Sequence, residues 1–187
     1  MRIIAGTARS LPLKTISGME TRPTSDRVKE TLFNMLNPYL CDCRFLDLFA
    51  GSGQMGVEAV SRGAARAVFV ENNKKAADCI AKNITFTKFT KQCRLLVKDA
   101  VSAIRQMEGQ ETFDLVFMDP PYGKGLELEA LRALSDSSLL RENCLVVAEA
   151  ALGTDFSAAK DWGYQITKEK TYKNNQHIFL NYAKEAI

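Results

Sequence analysis

The chain has 187 residues, 46% hydrophobic and 25% charged, with a formal net charge of +3. That length and balance are those of one globular domain with a sizeable core, and no apolar run approaches the length needed for a helix to cross a bilayer. A charge this close to zero is a weak pointer to an acidic partner. The five cysteines, Cys41, Cys43, Cys79, Cys93 and Cys144, are odd in number and lack framework spacing, as in a reducing cytosol. Cys41-Asp42-Cys43 with the single histidine, His177, makes a poor zinc site, so no metal is expected. The N-terminus has neither a long apolar stretch nor a small-residue cleavage site, so a cytoplasmic protein without a signal peptide is expected.

Taken in chain order, Arg2–Ala5 and Leu11–Lys14 read as two short strands of a hairpin. Pro23 stops the extended chain, and Thr24 or Ser25 caps a helix with Asp26 in its first turn. Val28, Leu32, Met35, Leu36 and Tyr39 share one face of that helix, and Pro38 ends or kinks it. From Arg44 the pattern alternates. RFLDLFA (44–50), AVFVE (67–71), CRLLVKD (93–99), FDLVFMD (113–119) and CLVVAE (144–149) have strand length, with helix-length segments between them. Continuous apolar runs suit strands buried on both faces, and strand–helix repetition implies a parallel, doubly wound α/β sheet. The tail differs: YQITKEKTYK and HIFLNYA, split by Asn174-Asn175-Gln176, read as an antiparallel hairpin. Residues 1–24 are taken as an N-terminal extension and 25–187 as the main domain, compact and monomeric.

The first long run flows into Gly51-Ser52-Gly53-Gln54-Met55-Gly56, a G-x-G-x-x-G between strand and helix, and Glu71 follows Gly51 by twenty residues. Ligands of open α/β sheets bind beyond the carboxyl ends of the strands, where Glu71 and Asp99 stand. Two cofactors fit. A dinucleotide would set its pyrophosphate on the helix N-terminus. S-adenosylmethionine would set its carboxylate on the loop N–H groups, its ammonium in the field of Asp47, its ribose on Glu71 and its adenine amine on Asp99 beside the Ala100 N–H. The second Asp handle favours the methyl donor, with Phe49 and Asn72 completing the cofactor set.

The fourth long run ends in Asp119-Pro120-Pro121-Tyr122, the sharpest signal in the chain. An exocyclic base amine is a poor nucleophile because its lone pair is delocalised into the ring. Two acceptors, the Asp119 carboxylate and the Pro120 carbonyl, would localise that pair and aim it at a methyl group, with the prolines stiffening the turn. Tyr122 offers a face for an extruded base, worth about 1–3 kcal/mol by analogy with single-strand binders. Either Asp119 or water takes the departing proton.

The stretches TRPTSDRVKETLFN (21–34), LDLFAGSG (46–53), EAVSRGA (58–64) and FDLVFMDPPY (113–122) give the chain a family likeness. It resembles, nearly end to end, the bacterial 16S ribosomal RNA (guanine-N2)-methyltransferases of the RsmD type. The resemblance implies a class I S-adenosylmethionine-dependent methyltransferase (Rossmann-like) fold, with a mostly parallel seven-stranded sheet and an antiparallel last strand. It implies methylation of the N2 amine of a guanine in 16S rRNA, in assembled or assembling 30S subunits. Gly51 and Gly53 would hold the methionine end of the donor, Glu71 the ribose, Asp99 the adenine, and Asp119, Pro120 and Tyr122 the target base. Arg22-Pro23-Thr24 would fold over the site. The chain departs from the family pattern in two places: Ser10-Leu11 stands where the family has Gly-Arg, with Arg9 compensating, and Tyr172-Lys173 stands where it has Tyr-Gly.

Basic residues crowd the N-terminal region. Arg9, Arg22, Thr24 and Arg27 are the candidate RNA contacts, while Lys29 fits a phosphate contact and a solvated helix face equally. Lys168, Lys170 and Lys173 extend the track or protect an edge strand. His177 and Trp162 are read as structural. Three rivals remain: an adenine-N6 methyltransferase acting on DNA or RNA, an NAD-dependent oxidoreductase, and a non-catalytic RNA-binding module.

Overall fold

A computed structural model describes residues 1–16 and 26–183. The expected boundary between 24 and 25 therefore lies outside the described residues. Helix α1 (Asp26–Leu40) leads into β1 (Arg44–Leu48), α2 (Gln54–Ser61), β2 (Arg66–Val70), α3 (Lys74–Phe86) and β3 (Cys93–Leu96). Next come α4 (Ala100–Met107), β4 (Phe113–Met118), α5 (Leu126–Ser135) and β5 (Leu140–Ala151). A 3-10 turn (Ser157–Trp162) then precedes β6 (Tyr164–Thr171) and β7 (Asn175–Tyr182). The strands form one sheet in the order β3-β2-β1-β4-β5-β7-β6. The pairs among β1 to β5 are parallel, whereas β7 runs antiparallel to both β5 and β6. The expected seven-stranded, mostly parallel sheet with an antiparallel last strand is the one observed.

Side-chain alternation divides the core in two. Leu46, Leu48, Val68, Val70, Val116 and Met118 face α4 and α5. Phe45, Phe69, Leu115, Phe117, Leu145, Val147 and Phe179 face the opposite way, toward Leu32, Phe33 and Leu36 of α1 and Ile80 and Ile84 of α3. Both faces of the central strands are covered, which explains their unbroken apolar runs. β5 begins four residues before the run read from sequence, at Leu140. Its start is the exposed Arg141-Glu142-Asn143, with Asn143 at φ 63 and a register shift against β4, so no apolar pattern marks it.

Three local expectations are corrected. Helix α1 buries Lys29, Leu32, Phe33, Leu36 and Leu40, while Tyr39 is exposed, so its buried stripe is rotated from the face read in the sequence. Pro38 does not end the helix: it lies inside the last turn, and the helix continues to Leu40. The N-terminal hairpin is reduced to one antiparallel bridge, Arg2 to Pro12, flanked by Ile3 N–H donating to Leu11 O and Leu13 N–H to Met1 O. Proline cannot donate to a ladder, so the pairing does not extend. Ser10 sits at φ 70, a left-handed conformation that glycine adopts freely.

A buried ionic knot docks this clasp on the domain. Glu58 of α2, fully buried, accepts from Ile4 N–H (2.8 Å), Ala5 N–H (3.0 Å) and Arg62 Nε (2.8 Å). Lys29 Nζ donates to Arg2 O at 2.6 Å and lies 3.5 Å from Glu58. Burial lowers the Lys29 pKa despite the attraction of Glu58 and Asp26. Lys29 is therefore a structural tie and offers no surface to phosphate. Among the described residues, no helix is long and apolar enough to cross a membrane.

Candidate active site

The parallel register pairs Leu48 with Val70 and with Met118, and Met118 with Ala148. The next residue on each strand, Phe49, Glu71, Asp119 and Glu149, therefore stands at one level along the carboxyl edge of the sheet. The glycine loop leaves β1 at that level. Phe49 takes φ 61 and Gly51 φ 56, turning the chain sharply off the sheet. A Cβ on Gly51 would project into open space, so the backbone is free for a ligand to approach. At Gly56 a Cβ would lie 2.3 Å from the Phe69 ring, so this glycine lets α2 pack directly on β2.

Asp47, buried inside β1, accepts the Gly56 N–H at 2.9 Å and so braces the first turn of α2. Burial pushes its carboxyl up to about 7; the Gly56 bond opposes this and Glu71 adds to it. Glu71 accepts Gly51 N–H with one oxygen and Asn73 N–H with the other, both at 2.8 Å. Each oxygen keeps a second lone pair. Asp99 caps α4 by accepting Ser102 N–H at 2.9 Å, which holds its carboxyl below the usual range. Ala100 opens that helix, so its N–H has no intrahelical partner. Phe49, Glu71, Asn72, Asp99, Ala100 and Leu126 line one cleft. These residues fit an adenosine: paired acceptors for a diol, and an acceptor beside an N–H for an adenine edge, between apolar walls.

Asp119 follows β4 directly. Burial raises its pKa well above the usual value, and the charges of Glu149 and Asp47 push it further. Pro120 is buried, whereas Tyr122 remains 43% exposed with its hydroxyl donating to Glu149 at 2.8 Å. The Asp-Pro-Pro-Tyr turn and the glycine loop thus share one sheet edge. Sequence reading passed over Glu149, although CLVVAE closes on an acid as AVFVE and CRLLVKD do; the rule that singled out Glu71 and Asp99 applies to it as well. Asn175, which donates to Glu149, carried no signal.

Arg9 is exposed in the hairpin turn and Arg27 on α1. Arg22 and Thr24 lie outside the described residues. Lys168 and Lys170 are exposed on β6, the edge strand. Trp162 is half-buried under the Arg132 guanidinium, 5.7 Å from its ring centre, a packing role. All five cysteines are free. Among the described residues, no group of three or more His, Cys, Asp or Glu side chains is placed to hold a metal ion.

Comparison with known proteins agrees with this architecture. The chain is 37% identical over 172 residues to the ribosomal RNA small subunit methyltransferase D of Haemophilus influenzae, covering 91% of this chain and 88% of that one. It is 42% identical over 151 residues to the Bacillus subtilis protein YlbH, covering 80% and 82%. The solved structure of the Escherichia coli protein yhhF superposes with a TM-score of 0.84 at 32% identity, over 98% of both chains. The fold is the Rossmann-like class I fold of S-adenosylmethionine-dependent methyltransferases. A family model described as conserved hypothetical protein 95 matches residues 1–181, and the chain belongs to that family, which includes the bacterial small-subunit rRNA methyltransferase D proteins.

Proposed function

We propose that the protein transfers a methyl group from S-adenosylmethionine to the exocyclic N2 amine of a guanine in 16S rRNA of the small ribosomal subunit. The observation that carries the reading is the common level of the glycine loop, Glu71 and Asp119 along one sheet edge. S-adenosylmethionine supplies, when bound, an electrophilic methyl group on a positively charged sulfur. Gly51 faces open space and leaves room for the amino-acid end of the donor, Gly53 at φ 77 turns the loop beneath it, and the donor's ammonium draws Asp47 into its ionised form, which supplies the negative field. Glu71 takes the ribose hydroxyls, and Asp99 with Ala100 takes the adenine edge. Asp119 and the Pro120 carbonyl accept from the target amine and localise its lone pair. Tyr122 stacks on the base, which holds the amine in line. Arg9 and Arg27, with Arg22 and Thr24, hold the RNA.

Guanine is the base implied by the likeness to the RsmD-type enzymes; the two acceptors assigned to the target, the Asp119 carboxylate and the Pro120 carbonyl, would serve the exocyclic amine of either purine. The names of the methyltransferase D relatives support rRNA as substrate. The adenine reading is the alternative, because the amine chemistry is the same.

The deciding experiment incubates the protein with labelled donor and undermethylated 30S subunits, free 16S rRNA or DNA, then maps the modified nucleotide. N2-methylguanosine in 16S rRNA is expected, and label confined to adenine would overturn the substrate. Asp119→Ala should lose turnover while still binding S-adenosylhomocysteine. Retained turnover would remove Asp119 from the chemistry and point to a different catalytic site, whereas RNA binding with no turnover by the wild-type protein would favour the RNA-binding module. Calorimetric binding of NAD without binding of S-adenosylhomocysteine would overturn the cofactor.

A further inference from the structure

A buried carboxylate–imidazole pair lies directly behind the base-holding turn. Glu149 on β5 and His177 on β7 are register partners, and His177 Nε2 meets Glu149 Oε2 at 2.9 Å. His177 is fully buried, with edge-on contacts to the rings of Tyr172 (4.9 Å between centres) and Phe117 (6.5 Å). Asn175 donates to Glu149 Oε1, which also accepts the Tyr122 hydroxyl. Burial alone pushes the Glu149 carboxyl up. The bond and attraction of His177, with the bonds from Tyr122 and Asn175, outweigh it and hold the group below its ordinary value. Ionised Glu149 thus accepts from Nε2–H, and its bond with the phenol is charge-assisted. Among the described residues, Asp119 also faces this cluster and feels the Glu149 charge, as does Tyr172.

The stretch from Pro121 to Gly125 is exposed throughout, and Gly123 and Gly125 have positive φ. Among the described residues, the Tyr122 hydroxyl makes the bond that ties this stretch to the sheet. A tyrosine has two rotatable bonds, so fixing its backbone at one end and its hydroxyl at the other defines the plane of the ring. We infer that Glu149, oriented by His177 and Asn175, is the positioning residue that sets the Tyr122 ring for the target base. This rests on the base-holding role given to Tyr122 above.

The test is a double-mutant cycle on the full chain with the rRNA substrate. Tyr122→Phe keeps the ring and loses the tether, and Glu149→Ala removes the anchor. Each should lower kcat about tenfold, the scale of one charge-assisted hydrogen bond, with little change in KM. The double variant should be no worse than the poorer single. Glu149→Gln, which keeps an acceptor oxygen, should recover part of the loss. The number of sites that bind S-adenosylhomocysteine counts folded protein. If Glu149→Ala does not fold, the cycle is run with Glu149→Gln. Losses that multiply in the double variant, or a silent Tyr122→Phe, overturn the inference. Tyr122→Ala separates it from the reading beneath: impaired Tyr122→Ala with silent Tyr122→Phe sinks the tether alone, whereas silent Tyr122→Ala sinks both.

Discussion

Replacing Asp47 with asparagine should shift the stability difference from wild type in the variant's favour as pH rises, in proportion to how hard the fold works to keep that carboxyl neutral. Asp47 is buried beneath the glycine loop, with one backbone N–H on its carboxylate and Glu71 nearby. Its pKa rises from an ordinary 3.8 to about 7 on folding. Between those values the folded protein holds a proton that the unfolded chain has released. Unfolding then releases a proton, so wild-type stability is highest below pH 4 on this account and falls as pH climbs to about 7. At about 1.36 kcal/mol per pH unit, the span amounts to about 4 kcal/mol. Asp47→Asn does not titrate and should lack that slope. Its buried amide adds a constant offset, so the quantity to read is the change in the difference between the two proteins. Urea unfolding from pH 4 to pH 8 measures it. The variant should gain about 4 kcal/mol relative to wild type across that range. A difference that moves by less than about 1 kcal/mol would show that Asp47 is ionised at little cost, contrary to its burial. Donor binding should weaken in the same variant above about pH 7, where wild-type Asp47 is ionised and its field lies under the loop.

Gly56→Ala places a methyl 2.3 Å from the buried Phe69 ring, and overpacking of this kind costs about 1–3 kcal/mol; thermal melts should show the loss, with Phe69→Leu restoring most of it. Ser10→Gly removes a left-handed non-glycine residue from the hairpin turn and should add about 1 kcal/mol to the unfolding free energy. Glu58→Ala leaves the Lys29 ammonium and the N–H groups of Ile4 and Ala5 without their buried acceptor. Breaking such a pair costs about 3–5 kcal/mol, so calorimetry should show melting at least about 6 °C lower at this chain length; an unchanged melting temperature would mean the knot is solvated.

The elements legible in the sequence were those whose pattern is local. Unbroken Leu/Val/Phe runs announced the central strands, because helices cover both faces of the sheet. Strand-end acids and the Asp-Pro-Pro-Tyr turn announced where to look, because topology brings the ends of parallel strands together. What stayed hidden depends on partners far along the chain. Lys29 looks like any helix-face lysine until Glu58, twenty-nine residues later, comes within 3.5 Å. His177 looks structural until its register partner on β5 proves to be the acid behind Tyr122. The start of β5 was missed because its exposed Arg-Glu-Asn carries no apolar alternation.

The two neighbouring carboxylates at the ends of β4 and β5 show how one sheet edge assigns different tasks to like groups. Asp119 and Glu149 stand level on adjacent strands, so full ionisation of both is opposed by mutual repulsion. The fold breaks the tie. Glu149 receives His177, Asn175 and Tyr122, and it stays charged. Asp119 receives burial and the fields of Glu149 and Asp47, and its proton affinity rises. Environments that drive paired acids apart in pKa mark one as a fixed charge and the other as a proton carrier. On the proposed chemistry, the sulfonium beside Asp119 favours its ionised, accepting form; transfer breaks the sulfur–methyl bond, moves the positive charge to the amine nitrogen, and passing one proton from that nitrogen to Asp119 leaves a neutral methylated amine, a neutral thioether and a protonated carboxyl. Asp119 then suits both steps asked of it: gripping the amine before transfer and taking the proton afterwards, while Glu149 holds the ring in place throughout.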